Sequence, residues 1–185
     1  MKTILAWTLG TSLFAIAAAR AADTGTTVEL DGLKSTAPAG WKKEEPTAQQ
    51  KNFRKYQFRI SKADGDKEDA EVVVFFFGAG GGGSKDANLT RWKGQFKPPA
   101  GEQAKVNEFK VGDASVTEVD VTGTYLFKVG GPFNPNAKTE EKTDYSMLGV
   151  IFDCKGGPYY MRLLGPTKTV SAHMKEFDDW LKSFK

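Results

Sequence analysis

Alternating apolar and polar residues predict the first clear strand of the chain. Tyr56, Phe58 and Ile60 are separated by single polar residues, which is the period of a half-buried strand. The pair Asp64-Gly65 follows and favours the tight turn of a β-hairpin. The next segment, Val72–Phe77, has no polar residue, a pattern typical of a strand that is covered on both faces. We therefore expect a sheet with a packed layer on each side.

The second half of the chain predicts more strands and one long loop. A strand is indicated around Gly123, where the glycine itself suggests a bulge or a close backbone approach. Its apolar face consists of Val119, Val121, Tyr125 and Phe127, opposite Glu118, Asp120, Thr122 and Thr124. Met147–Phe152 is apolar on both faces, and Gly156-Gly157-Pro158 predicts a turn into a last strand. Between these strands, Lys128–Asp144 contains Gly-Pro and Asn-Pro turns, so we expect a long loop there.

Two helices are predicted by apolar residues that recur every three to four positions. The first runs from about Asp86 to Phe96, begins at Ser84 or Asp86 as the N-cap, and is ended by Pro98-Pro99. Its apolar stripe consists of Leu89, Trp92 and Phe96. The second runs from about Thr169 to Phe184, with Val170, Met174, Phe177, Leu181 and Phe184 on one stripe. The expected fold class is therefore α+β, with an antiparallel β-sheet sandwiched between helices.

The N-terminus has the three parts of a signal peptide. Lys2 supplies a basic start, Ile4–Ala18 is apolar, and Ala19-Arg20-Ala21 is a small-x-small cleavage site. The uncharged run is shorter than the roughly 20 residues of a spanning helix. We predict a signal peptide over residues 1–21 and a single exported domain over residues 22–185, periplasmic or secreted and soluble, with no transmembrane span in the mature chain.

Composition excludes several classes of function. The chain has 26 Lys+Arg against 23 Asp+Glu, with one His and one Cys. So small a charge excess argues against a nucleic-acid binder, and one cysteine cannot form an internal disulfide in an exported protein. Cys154 has the strand parity of Val150 and Phe152, so we expect a buried, inert thiol. One His and one Cys do not supply a zinc site, and no metal or cofactor is expected.

Two segments resemble the beginning and end of PsbP/Mog1-like domains. These are Leu33–Ala37 with the following Pro38-Ala39-Gly40-Trp41, and the closing sequence Phe177–Phe184. The middle, from Phe75 to Phe96, is similar to a group of uncharacterised exported bacterial proteins. The resemblance implies a PsbP/Mog1-like α/β/α sandwich and a non-catalytic binding or assembly role. It assigns no catalytic residue, and nothing here resembles the family's partner-binding N-terminal extension, so it does not imply a photosynthetic role.

A glycine-rich segment lies between a predicted strand and a predicted helix. Gly78, Gly80 and Gly83 have the spacing of a dinucleotide-binding fingerprint, but glycine fills so many positions here that the match has little weight. The order Gly83-Ser84-Lys85 is also the reverse of a phosphate-binding loop. A flexible turn is the favoured interpretation. An anion or partner contact through N–H groups at the helix start is the alternative.

Three other patterns allow chemistry but favour structural interpretations. Asp64–Asp69 lacks the glycine and the final glutamate of a calcium loop. His173 has no Gly-x-Ser-x-Gly serine to activate, although a pair with Cys154 is conceivable. Lys51–Arg59 alternates basic and aromatic residues as single-strand nucleic-acid binders do, but the inward face of a strand explains the aromatic positions.

These observations favour an exported, non-catalytic binding or assembly module. Its expected partner is another envelope protein or a small ligand. The contact region is predicted to consist of Gly78, Gly80, Gly81, Gly82, Gly83, Ser84, Arg91 and Lys93, with Phe133 of the 128–144 loop as a second contact. The alternatives are a small extracytoplasmic hydrolase or transferase that uses Gly78–Ser84 as an anion or oxyanion site, and a purely structural surface protein.

Overall fold

The computed structural model describes residues 25–130 and 136–185. The predicted signal peptide and Phe133 lie outside this range. The strands are β1 (Thr27–Leu30), β2 (Leu33–Thr36), β3 (Lys42–Glu44), β4 (Arg54–Ile60), β5 (Ala70–Phe76), β6 (Phe96–Lys97), β7 (Lys105–Val111), β8 (Ala114–Lys128), β9 (Thr139–Cys154) and β10 (Gly157–Pro166). The helices are α1 (Lys85–Lys93) and α2 (Thr167–Lys182), and Gln50–Asn52 forms one 3₁₀ turn.

Eight of these strands form one antiparallel sheet. Its order is β3-β4-β5-β10-β9-β8-β6, and β7 pairs with the first half of β8 while β6 pairs with its second half. The strands β1 and β2 form a separate hairpin. The predicted turns at Asp64-Gly65 and Gly156-Gly157 are confirmed, because they connect β4 to β5 and β9 to β10.

The sheet has a hydrophobic core on each face, so the predicted α+β fold with a two-sided sheet is confirmed. The α2-side core contains Phe58, Phe152 and Phe177, and Trp41 packs against Phe177 and Trp180 there. The α1-side core contains Trp92, Met147 and Tyr160. Successive residues of β5 point to opposite faces of the sheet, which explains why this strand has no polar position in its centre.

The prediction of a long loop at Lys128–Asp144 is wrong. β8 continues to Lys128, β9 begins at Thr139, and their pairing extends from Tyr125 opposite Lys142 to Lys128 opposite Thr139. This arm of the hairpin is held by backbone hydrogen bonds, and most of its side chains are exposed. Its polar residues therefore carry no alternation from which a strand could be recognised.

The first helix is shorter than the periodicity predicts. It ends at Lys93 with Gly94 as the C-cap, and Phe96 belongs to β6 instead of the last turn. Phe96 is nevertheless buried beside Tyr125, so the residue reaches the expected core from a strand. Ser84 is the N-cap, because its Oγ accepts a hydrogen bond from the Ala87 N–H at 3.2 Å.

The bulge that Gly123 suggests is confirmed. The register between β8 and β9 shifts between Gly123 and Tyr125. A Cβ at Gly123 would lie 2.2 Å from the Lys97 carbonyl oxygen, so the backbone of the segment after α1 passes directly over this position. No helix of the described residues is long and apolar enough to cross a membrane.

Candidate functional site

The glycine loop, residues 78–84, is held from beneath by two side chains. The Tyr160 hydroxyl donates a hydrogen bond to the Gly83 carbonyl at 3.0 Å and has a longer contact with the Gly81 carbonyl at 3.3 Å. The amide of Asn88, which is 2% exposed, donates to the Gly82 carbonyl at 2.8 Å. The carbonyl oxygens of the loop therefore turn toward the protein, and the loop has a defined conformation.

Glycine is required at different positions of this loop for different reasons. A Cβ at Gly82 would lie 2.4 Å from the Tyr160 ring, and one at Gly81 would lie 2.2 Å from the Phe77 carbonyl oxygen. Gly80 has a φ of +74° with open space around it, so only its backbone conformation favours glycine. Packing and backbone conformation together account for the glycine run without a nucleotide.

Two N–H groups, one in the loop and one in the first turn of α1, are used for local hydrogen bonds. The Gly81 N–H donates to the Gly78 carbonyl at 3.1 Å, and the Ala87 N–H donates to Ser84. An oxyanion site requires preorganised N–H donors that point at the reacting atom. The observed contacts instead use these donors to close the turn and to cap α1.

Three arginines come together beside this loop. Gln57 and Arg162 are paired with Val73 from the two strands next to β5, so both lie on the face of the sheet that carries α1. Arg54 donates from Nη1 to the Gln57 side-chain oxygen at 2.7 Å. Arg162 donates from Nη2 to Glu71 at 2.8 Å, and Arg91 of α1 donates to the Asn88 side-chain oxygen.

The guanidinium groups of Arg54 and Arg91 have lost part of their hydration without gaining an ion-pair partner of their own. Burial lowers the pKa of Arg54 below its usual value, against the attraction of Glu71. Burial also lowers the pKa of Arg91, and the neighbouring Arg162 charge lowers it further. Among the described residues, the Nε atoms of Arg54 and Arg162 are buried and have no hydrogen-bond partner.

A group of parallel phenylalanine rings adjoins the arginines. The centroids of Phe53, Phe75 and Phe77 are 6.0–6.3 Å apart, and their planes differ by 4–13°. The Arg54 guanidinium lies 5.5 Å from the Phe75 centroid, which is within the range of a cation–π contact. Phe77 is 43% exposed. We call these three rings with Arg54, Arg91 and Arg162 the arginine–phenylalanine patch.

The patch lies beside α1 because that helix sits over β9 and β10. Trp92 of α1 packs on the bare backbone of Gly149, where a Cβ would lie 2.7 Å from the indole ring, and it also contacts Tyr160 edge-on. Over β4 and β5, Phe53 and Arg54 remain half-buried and Phe77 is exposed. The short helix thus leaves one part of this sheet face open.

Comparison with known proteins identifies the fold. No family model matches the chain, and no curated protein matches it. The solution structure of cyanobacterial PsbP (CyanoP) from Synechocystis sp. PCC 6803 is similar, with a TM-score of 0.51 at 13% sequence identity. The match covers 94% of this chain and 98% of that chain. The fold is PsbP-like. This supports the PsbP-like part of the resemblance and does not extend to the exported bacterial group.

Within this PsbP-like fold, the predicted contact residues do not all meet. The Gly78–Ser84 loop and Arg91 lie together at the patch. Lys93 is exposed but points about 200° around α1 from Arg91, so the two do not share a face. Phe133 lies outside the described residues, so its role remains a prediction.

Sequence reasoning missed Arg54, Arg162 and Phe53. The basic–aromatic alternation at 51–59 was the available signal, and inward strand parity does explain Phe58. However, the register shifts between Arg54 and Tyr56, which places Arg54 opposite Phe75 on the other face of the sheet. Arg162 arrives from β10, and nothing local in its sequence indicates that it will lie near Arg54.

His173 and Cys154 have separate surroundings. The Nδ1 atom of His173 lies 2.8 Å from Glu176, whose carboxylate also accepts a hydrogen bond from Trp41 Nε1 at 3.0 Å. Cys154 is half-buried at the end of β9, so it is less buried than expected. Burial and then the Asp31 charge raise the pKa of its thiol to about 11. No group of three metal-ligating side chains occurs within residues 25–130 and 136–185.

Proposed function

We propose that this chain is a PsbP-like, non-catalytic binding or assembly module that acts outside the cytoplasm. Its contact surface consists of the arginine–phenylalanine patch and the adjoining Gly78–Ser84 loop. The observation that supports this proposal is the gathering of Arg54, Arg91 and Arg162 beside an open part of the sheet, where Glu71 is the one carboxylate that pairs with them among the described residues. Charged and aromatic side chains at such a place are typical of binding surfaces.

The contacts of the loop are compatible with binding of an anion and with an oxyanion site. Gly81 and Ala87 use their N–H groups internally. Tyr160 and Asn88 hold other loop carbonyls toward the protein, which directs the N–H groups of the same peptide planes outward. The fold favours the binding role, because the solved structure compared above is a PsbP protein and the PsbP/Mog1-like resemblance implies binding or assembly.

Site-specific photo-crosslinking tests the proposed surface. A photoreactive phenylalanine replaces Phe77 in one protein and Val106 of β7 in a matched control, since these side chains are 43% and 44% exposed. Incubation with the envelope fraction should give a discrete crosslinked species at position 77 that is absent at position 106. Equal labelling at both positions, or no specific product at position 77, would overturn the proposal.

A further inference from the structure

The way the arginines are held indicates what the patch binds. Arg54 and Arg91 donate to the side-chain amides of Gln57 and Asn88, which fix the guanidinium groups without neutralising them. Glu71 is engaged by Arg162. The next carboxylate along the sheet, Glu44, is held by Arg59 at 2.5 Å and by the amide of Gln57 at 3.0 Å. Two oriented positive charges are thus left for an external anion.

Guanidinium groups that are partly dehydrated favour carboxylates as partners. Arginine binds a carboxylate through two parallel N–H···O bonds, and such charge-assisted bonds are stronger than bonds between neutral groups. Arg54 and Arg91 each retain guanidinium N–H groups beyond the one that binds an amide oxygen, and these are the donors for that geometry. Amide acceptors keep the charge in place, so an incoming carboxylate meets a preorganised site.

The phenylalanines favour a partner that also carries an apolar side chain. Phe77 is exposed next to Phe53 and Phe75, and their centroids lie 6.0–6.3 Å apart. Side chains on one face of an extended peptide repeat about every 6.6 Å. The Arg54 guanidinium lies 5.5 Å from the Phe75 centroid, so a carboxylate at the arginines and an apolar side chain at the rings suit neighbouring same-face positions of one extended segment.

The open shape favours a peptide over a small molecule. Small-molecule sites are concave, whereas Phe77, which follows β5, and Arg91 of α1 are exposed. A groove of about 580 Å³, lined by His173, Glu176 and Trp180, lies along α2 on the opposite face. Nucleic acid fits less well, because the whole chain has a formal net charge of only +3 and Glu71 lies within the arginine group.

We infer that the patch binds an acidic, phenylalanine-containing extended segment of a partner protein. This inference rests on the proposed function, because it assigns the chemistry of the same surface. Charge complementarity with Arg54 and Arg91 favours an acidic segment as the occupant.

A peptide-binding measurement tests the inference on the purified chain. The probe is a fluorescein-labelled 12-residue peptide of alternating acidic residues and phenylalanine, and its affinity is read by fluorescence anisotropy. Removing one charge-assisted contact by Arg54→Gln or Arg91→Gln should weaken binding about five- to tenfold. Phe77→Ser should also weaken it. Lys93→Gln, on the other side of α1, is the matched control and should leave the affinity unchanged.

Two altered peptides test whether binding requires both the acidic residues and the phenylalanines. A peptide with lysine at each acidic position, and a peptide with alanine at each phenylalanine, should bind at least tenfold more weakly. Circular dichroism verifies that each variant is folded, and Arg91→Lys, which keeps the charge without the paired donors, should bind with intermediate affinity. Tighter binding of oligothymidine than of the acidic peptide, or unchanged affinity in both arginine variants, would overturn the inference.

The two proposals fail in different ways. A specific crosslink at position 77 without binding of acidic peptides would retain the surface as a contact site and overturn its assigned chemistry. Absence of both the crosslink and the peptide binding would overturn both proposals.

Discussion

The carboxylate of Asp66 caps a helix whose first turn lies 103 residues further along the chain. Its Oδ2 atom accepts hydrogen bonds from the Thr169 N–H at 2.8 Å and from the Thr169 hydroxyl at 2.5 Å. The residue at the N-cap position of α2 is Pro166, which has no side-chain donor or acceptor. The turn of the β4–β5 hairpin therefore supplies the cap that the local sequence lacks.

Replacing Asp66 with alanine should lower the free energy of unfolding by about 1 kcal/mol, because the first turn of α2 loses an acceptor. Urea titration followed by tryptophan fluorescence measures this loss. Asp64→Ala is the matched control, since its side chain is exposed and its contact with Lys168 is made by the backbone carbonyl. Equal destabilisation by both substitutions would show that Asp66 acts through charge alone.

Adding a methyl group at Gly149 should displace α1. A Cβ there would lie 2.7 Å from the ring of Trp92, and an indole enclosed by a core has little room to move. We expect Gly149→Ala to destabilise the fold by about 1–3 kcal/mol, as overpacking does. Chemical denaturation measures the change. Gly40→Ala provides the comparison, because a Cβ at Gly40 meets no described atom within 4 Å. A neutral Gly149→Ala would contradict the described packing of α1.

Alanine substitutions at two glycines of the loop distinguish the cost of backbone strain from the cost of a steric clash. Gly80 and Gly82 have φ values of +74° and +85°, so alanine at either should cost about 1–2 kcal/mol. At Gly82 the new Cβ would also lie 2.4 Å from the Tyr160 ring. Gly82→Ala should therefore lower the melting temperature more than Gly80→Ala does. Identical melting temperatures would mean that Tyr160 does not hold the loop as described.

Stability should fall with rising pH because of Glu118. This side chain lies on the face of β8 that meets α2, where burial and then the Asp178 carboxylate raise its pKa to about 7. Asp120 adds further negative charge and Lys182 opposes it. Between pH 4.5, the usual pKa of a glutamate, and about pH 7, the folded protein keeps a proton that the unfolded chain has released. The free energy of unfolding therefore decreases as pH rises through this window.

The variant Glu118→Gln isolates that effect. It should match the original chain near pH 5, where Glu118 is protonated, and be more stable than the original near pH 8. Urea unfolding at several pH values gives the comparison, with the exposed Glu102→Gln as the control. A difference between Glu118→Gln and the original chain that does not depend on pH would contradict the assigned proton.

Cys154 should react slowly with alkylating reagents. Its pKa is raised from 9.0 to about 11 by burial and by Asp31, so the thiolate fraction near neutral pH is about one hundredth of that of an ordinary thiol. Iodoacetamide labelling followed by mass spectrometry should show slow modification of the folded protein. In urea the same residue should react about a hundred times faster. Equal rates in both conditions would contradict the protected environment.

The sequence predicted those elements whose side chains bear a local pattern. β4, β5 and β9 follow from apolar periodicity, and α2 begins and ends within two residues of the predicted bounds. The arm of the β8–β9 hairpin was missed because backbone pairing and surface ion pairs such as Lys97–Glu141 hold it, and neither produces an apolar periodicity in the sequence. The predicted polar face of β8 also does not face water throughout, since Glu118 lies against α2.

The candidate site was predictable only where its parts are local. The Gly78–Ser84 loop and Arg91 adjoin in the sequence, and they also meet in the fold. Arg54 and Arg162 belong to strands that are not neighbours in the chain, and the register shift before Tyr56 decides on which face Arg54 lies. Such a shift is a property of the assembled sheet, so composition and periodicity do not reveal it.

The two cores differ greatly in size, so we expect the two helices to differ in local stability. Within the described residues, 22 buried side chains form the core beneath α2, whereas ten form the core beneath α1. A helix fastened by so small a cluster can detach transiently while the rest of the sheet stays intact. Amide protons of α1 should consequently exchange with solvent sooner than those of α2. A segment bound across the neighbouring strands would contact α1 and slow that exchange.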